Sequence, residues 1–350
     1  MFELLFMFKE EIMKNIFWKR SKVIFLLILS CLSFNIIMAG NPVLKFDANR
    51  KFKIVQFTDT HIKPNDQESN VAIQMINKVL DEEKPDLVVF TGDVVTDNPV
   101  AKGWEMATEP IVKRNIPFAV VFGNHDDESE LTREQIASLI VKIHGCLFVP
   151  QVKGVFGFGN YVLPIKSSVG ISNSALLYCM DSNAYSTIKG IEGYGWFQAS
   201  QINWYRSESE KQKEANGKIL PALAFFHIPF PEYAEAYKNE KHPPVGLRLE
   251  KECSPMINSG MFSAMIECGD VMATFVGHDH SNDYIAYLHG IALAYGRFGG
   301  GKTTYSDLPN GARIIELFEN ERTFKTWIRT YKGEILLPVN FPDDFFKLKQ

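Results

Sequence analysis

Five times along this chain a short run of strand-like apolar residues stops at a cluster of side chains that can bind a metal or move a proton. Residues 53–57 (KIVQF) run into Thr58-Asp59-Thr60-His61, and residues 87–90 (LVVF) lead to Gly92-Asp93. Residues 118–122 (FAVVF) end at Gly123-Asn124-His125-Asp126, residues 222–226 (ALAFF) at His227, and residues 272–276 (MATFV) at Gly277-His278-Asp279-His280. In open α/β sheets ligands bind at the carboxyl ends of the strands, so five such endings can converge on one place. Five of the eight histidines lie in these clusters, far from an even scatter. The chain must therefore fold so that several strand ends meet, and it offers that meeting point only oxygen and imidazole nitrogen donors.

Composition sets looser bounds. With 350 residues, 46% hydrophobic and 22% charged, the chain can bury a sizeable core, and one catalytic domain is the simplest organisation. A net charge of -4 provides no basic field for nucleic acid, so no nucleic-acid partner is expected. The N-terminus differs from the rest. Lys14, Lys19, Arg20 and Lys22 precede the largely apolar run 23–38, and Ala39-Gly40 follow, the layout of a secretory signal with Met13 as the natural start. Residues 1–40 are thus expected to be a leader and the protein to be exported, periplasmic or extracellular. An uncleaved anchor is the alternative, although the run is short of the ~20 residues of a spanning helix. Lipidation at Cys31, behind the fair lipobox Ile28-Leu29-Ser30, is another, and for a cleaved, exported chain would be the only link to a membrane. Of the remaining cysteines, Cys146, Cys179, Cys253 and Cys268, none forms a CxxC pair, which argues against a zinc knuckle or thioredoxin-type site.

Periodicity supplies the scaffold. Residues 52–57 read as a buried strand, residues 71–80 as a helix with Asn70 available as its N-cap, and residues 87–90 as the next strand. The β-α-β rhythm continues through the strand at 118–122, a helix opening at Thr132, and strands near 175–180 and 223–226. It implies a mostly parallel sheet flanked by helices. From Val271 the pattern changes to short strands at 272–276, 284–288, 291–295, 313–318 and 326–330, with a hairpin turn at His289-Gly290, so this half is expected to add antiparallel pairs. The catalytic domain is placed at 45–335 and a C-terminal tail at 336–350.

A hydrolase of phosphate esters must make a nucleophile from water, neutralise the non-bridging oxygens and help an alkoxide leave. Two metals about 3.5–4 Å apart serve the first two needs, since a cation lowers the pKa of bound water from about 15.7 to about 7. Asp93 is the natural carboxylate to bridge them. Asp59 and His61 lie two apart at a strand end, a spacing that His278 and His280 repeat, while Asn124 adds a neutral carbonyl oxygen and His227 another imidazole. This mixed shell suits manganese, iron or zinc better than magnesium or calcium.

Taken in order, Asp59-x-His61, Gly92-Asp93, Gly123-Asn124-His125-Asp126, His227 and Gly277-His278-Asp279-His280 resemble the calcineurin-like metallophosphoesterase superfamily. Lys84-Pro85-Asp86-Leu87, Gly193-Tyr194-Gly195-Trp196, Phe226-His227-Ile228-Pro229, Asn258-Ser259-Gly260 and Ser281-Asn282-Asp283 extend the likeness to its plant purple-acid-phosphatase-like subgroup and a fungal phosphatase, the Dcr2 group, over roughly residues 50–318. The resemblance implies a four-layer α/β/β/α sandwich of two mixed sheets with outer helices. It implies that Asp59, His61, Asp93 and His280 hold one metal, and Asp93, Asn124, His227 and His278 the other. It further implies that His125 protonates the leaving group and, with Asn124, contacts phosphate, with Asp126 orienting it. One departure stands out: true purple acid phosphatases carry a tyrosine three residues after the bridging aspartate, where this chain has Thr96, so a tyrosine-bound ferric ion is not expected.

The substrate is expected to be a phosphorylated small molecule or protein, with a monoester favoured. The same ligands would serve a phosphodiesterase or nucleotidase, and a non-catalytic binding module is the reading from another class. Residues 296–303 match the Walker A spacing, but the turn-rich stretch after them is too short for the helix a P-loop must open, so the glycines are read as a flexible loop from which Arg297 or Lys302 reaches substrate. His144, His242 and His289 have no partners at ligand spacing, and Asp279 is read as holding its neighbours rather than a metal.

Overall fold

The computed structural model describes residues 42–346. The leader read at 1–40, with Met13, Cys31 and Ala39, lies outside the described residues. Twelve strands form two six-stranded sheets. The first has the order β12-β11-β10-β1-β2-β3, built from β1 (Lys51–Phe57), β2 (Leu87–Thr91), β3 (Phe118–Val121), β10 (Gly311–Phe318), β11 (Phe324–Thr330) and β12 (Ile335–Phe341). The second has the order β4-β5-β6-β7-β9-β8, from β4 (Tyr161–Lys166), β5 (Asn173–Cys179), β6 (Ala222–Phe225), β7 (Val271–Val276), β8 (Ile285–Leu288) and β9 (Ile291–Tyr295). Instead of one mostly parallel sheet there are two mixed ones. Strands β1, β2 and β3 run parallel, β10 to β12 add antiparallel neighbours, and β5, β6, β7 and β9 form a parallel block.

Side-chain alternation explains the layering. On β5 and β6, Leu177, Cys179, Leu223 and Phe225 enter the core between the sheets, while Leu176, Tyr178, Ala222 and Ala224 enter a second core outside them. Cross-sheet contacts fix the inner layer: Gln56 Nε2 donates to Val276 O at 3.0 Å, Tyr161 O–H donates to Val120 O at 2.8 Å, and the Phe275 and Phe324 rings meet edge to face at 5.9 Å. Helices α1 (Ser69–Glu83), α2 (Val100–Val112) and α3 (Arg133–Ile140) cover the first sheet through stripes such as Ala72, Met75, Ile76 and Val79. The second sheet is covered by α4 (Ala199–Asn216), α5 (Glu232–Tyr237) and α6 (Met261–Cys268), which send in Tyr205, Tyr233 and Met265. The result is the expected four-layer sandwich.

Three local expectations change. Helix α1 starts before Asn70, at Ser69, with Glu68 as an N-cap that makes no side-chain capping bond; a turn leads into it, in which the Asp66 side chain accepts from Glu68 N at 2.9 Å and its carbonyl from Ser69 N at 3.1 Å. At α3 the expected start holds, with Thr132 and Gln135 forming a reciprocal capping box. The segment read as a tail from 336 instead builds edge strand β12, paired antiparallel with β11, followed by a short turn that buries Phe345. Strand β4 has no counterpart among the expected strands; Pro164 masks it, and is tolerated because β4 is an edge. The four described cysteines are free thiols.

Candidate metal centre

Every one of the five clusters leaves the carboxyl end of β1, β2, β3, β6 or β7, and backbone hydrogen bonds lash these loops together. Asp59 N donates to Gly92 O at 3.1 Å, His61 N to Asp93 O at 3.0 Å, and Gly277 N to His227 O at 3.1 Å. Side chains two residues apart reach one point because the backbone turns sharply: Asp59, His61, Asp93 and His278 have φ values of 52°, 42°, 51° and 79°. Such left-handed conformations cost energy in non-glycine residues and concentrate where a site needs them. Glycine is required beside them. Gly92 has φ +91°, and a methyl there would lie 2.5 Å from His227 Nδ1 and 2.6 Å from Gly123 N. Gly92→Ala is expected to lower stability by about 1–3 kcal/mol from backbone strain alone, measured as a shifted urea midpoint with unchanged slope.

Two groups of ligand atoms result, Asp59, His61, Asp93 and His280 in one and Asp93, His227 and His278 in the other, with the atoms of each within 4.8 Å of one another. Asp93 is common to both. Its Oδ2 lies 3.7 Å from His61 Nε2 and 3.2 Å from His227 Nε2, the latter without the alignment of a hydrogen bond. The fit to cations can be judged from what the donors lack. His227 Nε2, His278 Nε2 and Asn124 Oδ1 are buried without a hydrogen-bond partner, a costly arrangement unless a ligand completes them. His61 Nε2 and His280 Nε2 face each other at 3.2 Å. Meanwhile His227 Nδ1 donates to Thr91 O at 2.7 Å and His280 Nδ1 to Tyr305 O at 2.8 Å, which turns each Nε2 lone pair inward. The residues present fit two metal ions.

Burial sets the charges. It pushes His61 down to about 4 and His278 to about 3, so both rings are neutral and ligand-ready near neutral pH. His227 is also buried, but the Asp93 carboxylate overrides that and raises it to about 9, so the proton on Nε2 is one that a cation bound there would displace. For Asp93, the surrounding imidazoles outweigh burial and hold the carboxyl well below its usual range.

His125 stands beside this group, its ring centroid 5.7 Å from that of His61. The expected partner Asp126 does not reach the ring. Its carboxylate is fully buried under the loops and accepts from Gly123 N at 2.7 Å, Val94 N at 2.8 Å and Asp93 N at 2.9 Å, so it shapes the backbone that carries Asp93. Glu128 takes the place assigned to it, with Oε2 2.5 Å from His125 Nδ1. Arg297 also departs from expectation: it is 2% exposed and ion-paired to Asp283 at 2.5 Å, so it cannot reach a substrate. The Walker-like loop opens no helix; Gly299 N donates to Thr58 O at 2.9 Å and the loop packs on the end of β1, where a free, flexible segment was expected. Asp279, pushed up to about 7 by burial, accepts from Tyr295 O–H at 2.6 Å and from Cys253 N at 3.1 Å and joins neither ligand group. Thr96 buries its hydroxyl unpartnered.

Three aromatic residues complete the surroundings. Tyr305 stacks on His280 at 4.5 Å, Tyr194 meets His278 edge-on at 4.4 Å, and Tyr185 O–H contacts both Glu128 and Asn124. Of these only Tyr194 lies in a segment the sequence singles out.

A paired-sheet sandwich whose strand ends gather two cation-binding groups around a shared aspartate is the architecture of a dimetal phosphoesterase. The chain belongs to the calcineurin-like phosphoesterase family, whose profile matches residues 52–282. It is 33% identical over 335 residues to a protein of Arabidopsis thaliana named probable inactive purple acid phosphatase 14, a match covering 84% of this chain and 83% of that one. The phosphatase DCR2 of Saccharomyces cerevisiae is 34% identical over 80% of this chain and 54% of its own length. Among solved structures, a dimetal phosphatase from Danio rerio superposes with a TM-score of 0.58 at 10% identity, covering 83% of this chain and 98% of that one. A purple acid phosphatase from yellow lupin seeds gives 0.55 at 12% identity, over 88% and 57% of the two chains. Both likenesses speak to the fold.

Proposed function

We propose that this protein is a two-metal-dependent phosphoester hydrolase in which His125 protonates the leaving group. The observation that carries the reading is the unpartnered state of Asn124 Oδ1, His227 Nε2 and His278 Nε2 within a filled ligand set beside a histidine that is not part of it. Bound cations of manganese, iron or zinc would acidify a water and neutralise phosphate charge. Asp59, His61, Asp93 and His280 would hold one, and Asp93, Asn124, His227 and His278 the other. Glu128 keeps a carboxylate on His125 Nδ1, which leaves Nε2 to pass its proton to the departing ester oxygen. With Thr96 in place of a tyrosine, no ferric phenolate is needed.

A phosphorylated small molecule or protein is the proposed substrate class, and the name of the yeast relative favours a monoester. The word inactive in the plant relatives' names motivates the second reading, a binding module that holds phosphate without turning it over. Assay of p-nitrophenyl phosphate against bis-p-nitrophenyl phosphate with manganese, iron or zinc added separates the readings. Faster monoester turnover is expected; faster diester turnover would make the protein a phosphodiesterase, and silence on both with two cations bound would leave the binding module. Export, with or without lipid at Cys31, belongs to the same proposal, and N-terminal sequencing of the mature chain tests it.

A further inference from the structure

Between β5 and α4 the chain makes a small ribbon that leans over the metal centre. Tyr185 and Tyr194 form an antiparallel bridge, flanked by Ser186 N donating to Gly193 O and Gly195 N donating to Ala184 O, both at 2.9 Å. The base is pinned by Asn183, whose backbone N donates to Asp181 Oδ1 at 2.9 Å and whose Nδ2 donates to Trp196 O at 2.8 Å. On top, the two tyrosine rings stack at 5.7 Å with planes 23° apart, and Tyr194 rests against His278. The ribbon thereby delivers one hydroxyl, that of Tyr185, to a point between Glu128 and Asn124.

The direction of the hydrogen bonds at that hydroxyl is fixed by chemistry. An ionised carboxylate can only accept, so Tyr185 O–H must donate to Glu128 Oε1, 2.9 Å away. Its single proton is then spent, and toward Asn124 the phenol oxygen can only accept. It therefore selects the amide nitrogen, Nδ2 at 3.1 Å, and forces Asn124 Oδ1 to the opposite side, where it is buried and unpartnered, in a loop whose next residue, His125, donates its backbone N–H to Asp93 Oδ1. Were the amide reversed, its NH₂ would point at the cation position and its oxygen at another acceptor. The same carboxylate, through its second oxygen, grips His125.

We infer that Tyr185 is a positioning residue that couples the two halves of the centre: its hydroxyl turns the Asn124 carbonyl toward a cation and steadies the Glu128 carboxylate that orients His125. The ribbon 184–195 is then part of the machinery although no ligand lies on it. The inference rests on the reading of His125 as the proton donor for its catalytic half, while the cation half stands on Asn124 alone.

The test uses the full protein and manganese as the probe. Tyr185→Phe keeps the stacked ring and removes only the hydroxyl, at a residue already 46% exposed. Calorimetric titration of the metal-free protein is expected to show one manganese site weakened by about 10–100-fold, the usual effect of removing a partner of a ligand, and the other unchanged. Glu128→Gln should weaken the same site, although Glu128 touches no ligand atom of that site, because a side-chain amide can donate to the phenol and release its proton toward Asn124. Turnover in Tyr185→Phe should fall further for an alkyl phosphate than for p-nitrophenyl phosphate, in the same sense as in His125→Ala. If His125→Ala shows no such discrimination, the proton-donor reading fails and only the titration bears on Tyr185. Titration curves of Tyr185→Phe and Glu128→Gln that overlay the unmodified protein would overturn the inference.

Discussion

Asp93→Ala is expected to abolish hydrolysis and to empty both cation positions, whereas Asp59→Ala should empty one. The asymmetry follows from geometry: Asp93 belongs to both ligand groups, and Asp59 to one. Asp93 Oδ1 also accepts from His125 N at 2.8 Å, so its loss frees the backbone that carries the proposed proton donor as well. Elemental analysis of proteins purified with metal in the medium reads the outcome, about two ions per chain for the unmodified protein, near zero for Asp93→Ala and about one for Asp59→Ala. Equal losses in the two variants would show that the bridge lies elsewhere.

The second large effect is confined to chemistry. His125→Ala should retain its metals, because its ring belongs to neither ligand group and the backbone hydrogen bond to Asp93 survives in alanine. General acid catalysis contributes about 10²–10⁴-fold, and that loss should appear in full with alkyl phosphates, whose alkoxide leaves poorly without a proton. Nitrophenyl esters release a stable phenolate and should lose far less. Equal losses on both substrates, with metals retained, would refute the assignment.

Much of this site can be read along the chain because each ligand sits within a few residues of a strand end, and strand ends are marked by the hydrophobic pattern itself. The fold is legible for the same reason wherever strands are buried on both faces, as at β2, β3 and β7. Edges are harder. Strand β4 hides behind Pro164, and β12, with Leu336, Leu337 and Val339 only partly alternating with polar residues, looks like a tail until β11 supplies its partner. Adjacency in sequence also misleads after a tight turn. Asp126 follows His125 directly, yet the turn sends its carboxylate beneath the loops, and the residue that meets His125 is Glu128, on the same face three positions on. Arg297 shows the opposite error, since a cation in a glycine-rich stretch suggests a substrate contact when its counter-charge, Asp283, is invisible as such in one dimension. Tyr185, sixty-one positions from Asn124, carries no local signal at all.

The division of ligands between the two sheets has a mechanical consequence. Of the residues proposed to hold cations, Asp59, His61, Asp93 and Asn124 ride on the first sheet, and His227, His278 and His280 on the second. Each ion would thus be gripped from both layers at once, a rivet through the seam at one end of the sandwich. Because a ligand that binds only the folded state adds its binding free energy to stability, cation loss would loosen this seam first while the apolar interior farther along stayed closed. Metal supply would then govern how long the protein lasts as well as how fast it works.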